Sequence, residues 1–399
     1  MKILMPNHFP LQGSGSGIYT LNVATELVKA GHEVIVITPD HQPGNDSPFP
    51  VRTILFSNGS NKNAELDFNF PCFTTHPRSD KTFYELTDAE ILAYLDAWRK
   101  HINEVATSFK PHIIHAHHVW ITPYVAYESG LPYVISCHGT DLMGYKKGLR
   151  YREYAMTAAQ NSYAIIAISK QVQSDAVKTY QVPLDRIPLI GNGFGTDHFK
   201  LLPQVSKSEV FDEFGITEKD KPLISFVGKF TDFKGIDVLL KAAAIYEKKL
   251  AGVQTVLVGN GVLWEDMQKL KKQLGLKGVH FLGHQSQDVL ARIYNAADVS
   301  VVPSRVEPFG LVAVEALACG TPVVATNAGG LPDFINQEVG ALVPVDDPES
   351  LAHTIVDEIE KGTKQTKGVN ANHYAYENYT WEKQVAKMIV LYQEALNAH

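Results

Sequence analysis

The chain predicts an α/β protein built from two doubly wound parallel-sheet domains. Short apolar runs bounded by turn residues alternate with helical patterns, which is how βαβ units read in a sequence. The alternation fills the first half and begins again after residue 220. With 399 residues, 45% hydrophobic and 20% charged, the chain has enough apolar surface for more than one core.

In order, the runs of the first half lie at Lys2–Pro6, Glu33–Pro39, His112–His117, Tyr133–Gly139, Ala164–Ser169 and Ile187–Gly193. Those of the second half are "PLISFVGKF", "TVLVGNG", "VHFLGH", "VSVVPS", "TPVVATNAGG" and "GALVPV". Between them "GFGTDHFKLLPQVSKSEV" loses periodicity. The expected organisation is a first domain over residues 1–195, a linker over 196–210 and a second domain over 211–379. The segment from Ser57 to about Lys100, with "FNFPCFTTHPRSDKTFYEL", breaks the rhythm. It reads either as a loop over a cleft between the domains or as an irregular excursion packed on the outside.

A net charge of −7 and a pI near 6.1 argue against nucleic acid as the main partner. The one basic cluster, "GYKKGLRYREY", sets Lys146, Lys147, Arg150 and Arg152 against Glu153. It is a solvated helix face, or a contact for an anionic acceptor or a membrane surface. Cys72, Cys137 and Cys319 are too few and too scattered for a disulfide framework, so a cytoplasmic location is expected. "MKILMPNHFPLQGSGSG" reads as a first strand and not as a signal peptide. No apolar run approaches ~18 residues, so any membrane contact is expected to be peripheral.

Polar residues and glycines gather where the strands end, and ligands of open α/β sheets bind outside those carboxyl ends. Two such edges facing each other make a deep interdomain cleft. The most informative stretch is "SRVEPFGLVAVEALACGTPVVAT", with Glu307 and Glu315 on either side of the Pro308–Phe309–Gly310 turn. "LVAVEALAC" reads as a helix that Gly320 terminates, leaving N–H groups of Gly310 and Leu311 free for an anion such as phosphate. At ~1.5 Å per residue, Glu315 lies about 7.5 Å along that helix, roughly the reach from a nucleotide's diphosphate to its ribose. Glu307, before the turn, is placed for a second polyol. The alternative is two surface glutamates flanking a buried helix.

"FVGKFTDFKG" holds Lys229 and Lys234, two cations able to neutralise a diphosphate as it leaves, or two solvated lysines; the spacing is not that of a Walker A loop. "GSGSG", with Gly15 and Gly17, precedes the helix "IYTLNVATELVKAG" and lets backbone approach a phosphate or an acceptor closely. The dinucleotide pattern G-x-G-x-x-G fails here at its third glycine, where Ile18 or Thr20 stands. His115 and His117 share a strand face, which makes a metal pair conceivable, but no companion ligand falls at a familiar spacing and no metal is expected. His138, in "SCHGTD", is either a functional imidazole or a capping, packed one.

These pieces together resemble the retaining nucleotide-sugar glycosyltransferases of family 4, which have the GT-B fold. The resemblance covers nearly the whole chain and rests on the glycine loop, "HGTD", "NG" followed by "TDHF", "VGKFTDFKG", "VGNG", "FLGH", "ADVSVVPSRVEPFGLVAVEALACGTPVVAT" and "NAGGLPD". It implies that Glu315 binds the donor ribose and that Glu307 contacts the transferred sugar. Backbone at Gly310 and Leu311, next to Phe309, would hold the distal phosphate with Lys229 and Lys234. His138 would lie beside the sugar, and Gly15 and Gly17 near the diphosphate and acceptor. Asn260 and Gly261 of "VGNG" would join the donor site, and backbone around Phe281–His284, Leu282 included, would receive the base. "YTWEKQVAKMIVLYQEAL" resembles the family's C-terminal helix, which crosses back onto the first domain over 380–399. Where the family usually has Arg, this chain has Lys229, and its usual "NGVD" reads "NGFG" with Gly195 in place of the acid.

The function implied is metal-independent, retaining transfer of a hexosyl unit, of glucose or N-acetylglucosamine type, from a nucleoside diphosphate sugar with UDP as the expected nucleotide. The acceptor would be a hydroxyl of a small molecule, a saccharide or a lipid head group, and no cofactor beyond the donor substrate is expected. A nucleotide-sugar epimerase on the same fold and a non-catalytic nucleotide-sugar sensor are the other readings.

Overall fold

The computed structural model describes every residue except 45–46, 62, 75 and 219–220. It divides into two compact units, one formed by Met1–Gly191 with Gln384–His399, the other by Asn192–Lys383.

The first unit is built on strands β1 (Lys2–Pro6), β2 (Glu33–Asp40), β3 (Val51–Leu55), β4 (Ile113–His117), β5 (Tyr133–Cys137) and β6 (Ala164–Ala167). They pair in parallel in the order β3-β2-β1-β4-β5-β6, with Ile3 beside Val34 and Ile114 beside Tyr133. Ile3, Val36, Ile113, Ile135 and Ile165 are fully buried, as in strands covered on both faces, which is why they read as continuous apolar runs. The sheet grows in one direction from β1 and in the other from β4. Ligands of such sheets bind at this switch point, here between the ends of β1 and β4.

Three expectations need correction. Ile187–Gly193 is not a strand but a single bridge from Leu189 to Ala167, because Pro188 removes a donor and glycines follow at 191 and 193. The sixth strand is instead β3, whose five residues include the charged Arg52 and lie at the sheet edge. The irregular segment does not extend to Lys100. Helix Asp88–Phe109 begins inside it, set by a capping box in which Thr87 Oγ1 accepts from Glu90 N at 3.2 Å and Glu90 Oε2 accepts from Thr87 N at 2.7 Å.

The aromatic residues before that helix belong to the core: Phe56, Phe68, Phe70, Phe73 and Phe83 are buried, against Tyr94, Trp120 and His8 among others. Residues 62 and 75 of that segment lie outside the described ones. The basic cluster is partly absorbed as well. Arg150 donates to Asp88 and to the carbonyls of Tyr84 and Leu86, Arg152 lies over the Tyr145 ring, and Lys147 lies over Tyr84.

The second unit repeats the plan with β7 (Leu223–Val227), β8 (Gln254–Val258), β9 (Val279–Gly283), β10 (Val299–Val302), β11 (Val323–Thr326) and β12 (Gly340–Val343). The order is β12-β11-β10-β7-β8-β9, again parallel, so all six runs expected after residue 220 are strands. Leu239, Leu240, Tyr246, Leu257, Val324, Leu351 and Ile355 fill its core. The switch point lies between β7 and β10. Residues 196–210 are part of this unit, where Leu202 N donates to Asn295 Oδ1 at 2.8 Å and Ser206 caps helix Lys207–Glu213. Helix Trp381–Ala398 continues from this unit into the first. Among the described residues no helix is long and apolar enough to cross a membrane.

Candidate functional site

In the second unit, two loops meet at the switch point between β7 and β10. After β7, Gly228 N donates to Val258 O at 3.0 Å, Phe230 N to Asn260 O at 2.9 Å and Leu263 N to Phe230 O at 3.0 Å. This zips the loop of Lys229 to the loop of Asn260 and Gly261. A Cβ on Gly261 would come within 2.5 Å of Phe230 O, so the close approach of the two backbones requires glycine there. Lys229 and Asn260 are exposed at this edge, and Leu282, at the end of β9, is half-buried.

After β10 the chain passes Ser304 and Arg305 to Glu307, which is only 6% exposed. Glu307 Oε2 accepts from Lys234 Nζ at 2.6 Å and from Ser304 Oγ at 3.2 Å. Its backbone O accepts from Gly330 N at 2.9 Å, and a Cβ on Gly329 would stand 1.9 Å from that oxygen. The "NAGG" element is therefore what seats Glu307. Phe309 is buried against Phe334 and Tyr379, with ring centroids 5.4 and 6.0 Å away. It anchors the turn and presents backbone, not a ring, to the edge.

Gly310, at φ 108°, is the N-cap of helix Leu311–Ala318, and Gly320 follows the C-cap Cys319 at φ 71°. The amides of the first turn have no carbonyl four residues back to bind, so Leu311 and Val312 offer N–H groups at the positive end of the helix. Glu315 is half-buried one turn further along. Its carboxyl has no hydrogen-bond or ion-pair partner among the described residues, and burial pushes it up to about 8. The buried Tyr294 hydroxyl, whose environment includes the Glu315 charge, also has no partner there. Half-buried and without a donor from the described residues, the Glu315 carboxyl is open to hydroxyls from solvent or a ligand.

In the first unit, Ser14 caps helix Gly15–Lys29, its Oγ accepting from Gly17 N at 3.0 Å. The expected glycine loop is therefore shorter: Gly15 and Gly17 form the first helical turn. A Cβ on Gly17 would meet Pro10 O at 2.1 Å, whereas one on Gly15 would meet nothing within 4 Å. Gly17 is demanded by the chain's own packing, and only Gly15 leaves open space.

His138 is half-buried after β5. Its Nε2 faces His117 Nδ1 at 3.2 Å and its ring stands edge-on to Tyr19 at 4.9 Å. His115 stacks on His117 at 4.7 Å and spends both nitrogens on hydroxyls, Ser136 at 2.7 Å and Tyr392 at 2.6 Å. Burial holds His115 and His138 down at about 3, so these imidazoles are neutral near pH 7. Among the described residues no three His, Cys, Asp or Glu side chains gather as a metal site.

Three residues at these sites were not singled out from the sequence. Buried Asp141 accepts from His138 N at 3.2 Å and from Val119 N at 2.8 Å, tying the loops after β4 and β5. Its place at the first turn of helix Thr140–Lys147 was a readable signal. Ser304 bonds Glu307 only three residues on, whereas Arg305 acquires its role through partners distant in sequence.

Similarity to known proteins agrees with this geometry. The description "Glycosyl transferases group 1" fits residues 207–377 and "Glycosyltransferase Family 4" fits residues 13–198. An uncharacterized glycosyltransferase of Methanocaldococcus jannaschii is 31% identical over 415 aligned positions, covering 99% of each chain. A D-inositol 3-phosphate glycosyltransferase of Corynebacterium glutamicum is 27% identical, covering 97% of this chain and 94% of its own. Sucrose-phosphate synthase of Thermosynechococcus elongatus superposes with a TM-score of 0.78 at 23% identity over 100% of both chains. The Anabaena protein HepE, solved in complex with UDP, superposes with a TM-score of 0.74 at 20% identity, also over 100% of both.

Proposed function

Because the chain belongs to the group 1 glycosyltransferases of family 4 and has their GT-B fold, we propose that it moves a hexosyl unit, of glucose or N-acetylglucosamine type, from a UDP-sugar to an acceptor hydroxyl, with retention and without a metal. The observation that carries the proposal is Glu315, a half-buried carboxyl without a partner among the described residues, one turn beyond a helix N-terminus, with Lys234 bonded to Glu307 in the loop just before that helix. A nucleoside diphosphate supplies what each part lacks: ribose hydroxyls for Glu315, and anionic oxygens for the first-turn amides, Lys234 and Lys229.

In the proposed reaction the bond from the anomeric carbon to the diphosphate oxygen breaks as the acceptor oxygen bonds that carbon on the same face. The acceptor's proton goes to the departing phosphate oxygen. Lys234 and the helix terminus hold charge that grows on the leaving group, an interaction strongest in the transition state. Glu307, seated by Ser304 and Lys234, is assigned to the sugar, where positive charge develops. Neutral His138 is assigned to hydrogen bonding near the sugar and not to donating an imidazolium proton. The fold relatives that hold UDP lie at 20–21% identity and speak for the fold alone, so the choice of uracil is part of the proposal.

The test is incubation of radiolabelled UDP-glucose or UDP-N-acetylglucosamine with a panel of hydroxyl acceptors. The panel includes D-inositol 3-phosphate, the compound named in a relative's activity. Labelled product with an α-linkage from the α-configured donor is expected. A β-linked product would overturn retention, epimerised donor would favour an epimerase, and binding without turnover across the panel would favour a sensor.

A further inference from the structure

Lys234 is the last residue of the 3-10 turn Asp232–Lys234, a single hydrogen-bonded turn too short to hold itself. It is held from across the switch point by one side chain. Arg305 Nη1 donates to Asp232 O at 2.7 Å and to its carboxylate at 3.2 Å, Nη2 donates to Asp237 Oδ2 at 3.0 Å, and Nε donates to Asp346 Oδ1 at 2.6 Å. The Arg305 amide donates to Phe233 O at 2.8 Å. Arg305 thus grips the turn at its first residue, at its middle, and at Asp237 in the helix Ile236–Tyr246 that follows. Two residues later in the same loop, Glu307 takes the Lys234 ammonium.

We propose that Arg305 is a positioning residue for the donor diphosphate: its planar fork fixes the turn so that Lys234 stands where the phosphate charge will be. The assignment rests on the donor-site reading above. A pair of exposed charges would contribute little, but Arg305 is only 21% exposed and its planar guanidinium bonds three carboxylates and a carbonyl, which fixes geometry as well as energy. Lysine, a point charge on a flexible stem, cannot reproduce that fork. Arg305 is committed to these partners and acts through Lys234.

The test is a double-mutant cycle read as the Kd of UDP, which separates positioning from general support of the fold. Arg305→Gln is expected to weaken UDP about tenfold in the wild-type background and less than about twofold when Lys234 is already alanine. Arg305→Lys should fall between. Asp346 sits at φ 58°, a conformation glycine adopts freely, so Asp346→Gly removes one anchor without backbone strain and should give a smaller loss with the same dependence on Lys234. It serves if Arg305→Gln fails to fold. Equal losses in both backgrounds, or no loss in a folded Arg305→Gln protein, would overturn the positioning role alone. Wild-type UDP affinity in Lys234→Ala would overturn the donor-site reading, and this assignment with it.

Discussion

The Lys234 ammonium and the Glu307 carboxylate share a hydrogen bond of 2.6 Å, although the sequence placed them on different parts of the donor. The proposed donor must therefore divide Lys234 between two anions. Glu307 competes with the diphosphate for the ammonium and is itself stabilised by it.

Removing the charge of Glu307 follows from that competition. Glu307→Gln should lower kcat at least ~tenfold, about 1.4 kcal/mol, because the carboxylate faces positive charge that appears only as the donor breaks. It should leave UDP binding unchanged or tighter, since Lys234 is released. Steady-state kinetics with calorimetry checks this, and weaker UDP binding with unchanged kcat would reverse the assignment.

Lys234→Ala should cut donor kcat/KM by ~10²-fold or more, about 2.7 kcal/mol. Activity should persist in EDTA, since lysine and helix terminus supply the positive field. Loss in EDTA restored by Mg²⁺ or Mn²⁺ would contradict this account of leaving-group stabilisation.

The glycines of the first helical turn should behave differently. Gly17→Ala drives a methyl into Pro10 O and should destabilise the fold by roughly 1–3 kcal/mol, seen as a lowered Tm. Gly15→Ala meets open space and should leave Tm nearly unchanged while impairing turnover. Equal Tm loss in both would contradict the packing described.

Stability should depend on pH in two windows. Burial depresses His8, His115 and His138 to about 3 and His117 and His118 well below their ordinary value of 6.5. The unfolded chain takes up those protons first, so stability should be lost as pH falls below about 6.5, with several protons in the slope. Glu315 is raised from 4.5 to about 8, so the folded chain keeps a proton that the unfolded chain has released. Its contribution is present below about 4.5 and lost as pH rises to about 8. The Tm advantage of Glu315→Gln should therefore grow between pH 5 and 8.

The two parallel sheets were legible in the sequence because buried strands carry nearly unbroken apolar runs, as in "AIIA" and "VSVV". The helix after Gly310 was legible from Pro-Phe-Gly and the closing Gly320. Strand β3 was not, since an edge strand containing Arg52 lacks that signal, while Pro188 did mark the break in the expected last strand of the first half, outweighed there by the apolar run around it. Around the site, residue types pointed to Glu307, Glu315 and the lysines. Contacts between distant positions, such as Arg305 with Asp346 or His115 with Tyr392, leave no spacing to read.

The central claim is that the end of helix Leu311–Ala318 holds a nucleoside diphosphate with Glu315 on its ribose. Calorimetric titration of UDP into the wild type and Glu315→Gln at pH 7 tests it most directly. The bare nucleotide carries ribose and diphosphate but no sugar, so the account predicts saturable binding to the wild type and at least ~tenfold weaker binding, about 1.4 kcal/mol, to the variant. Equal UDP affinity in the two folded proteins would contradict it.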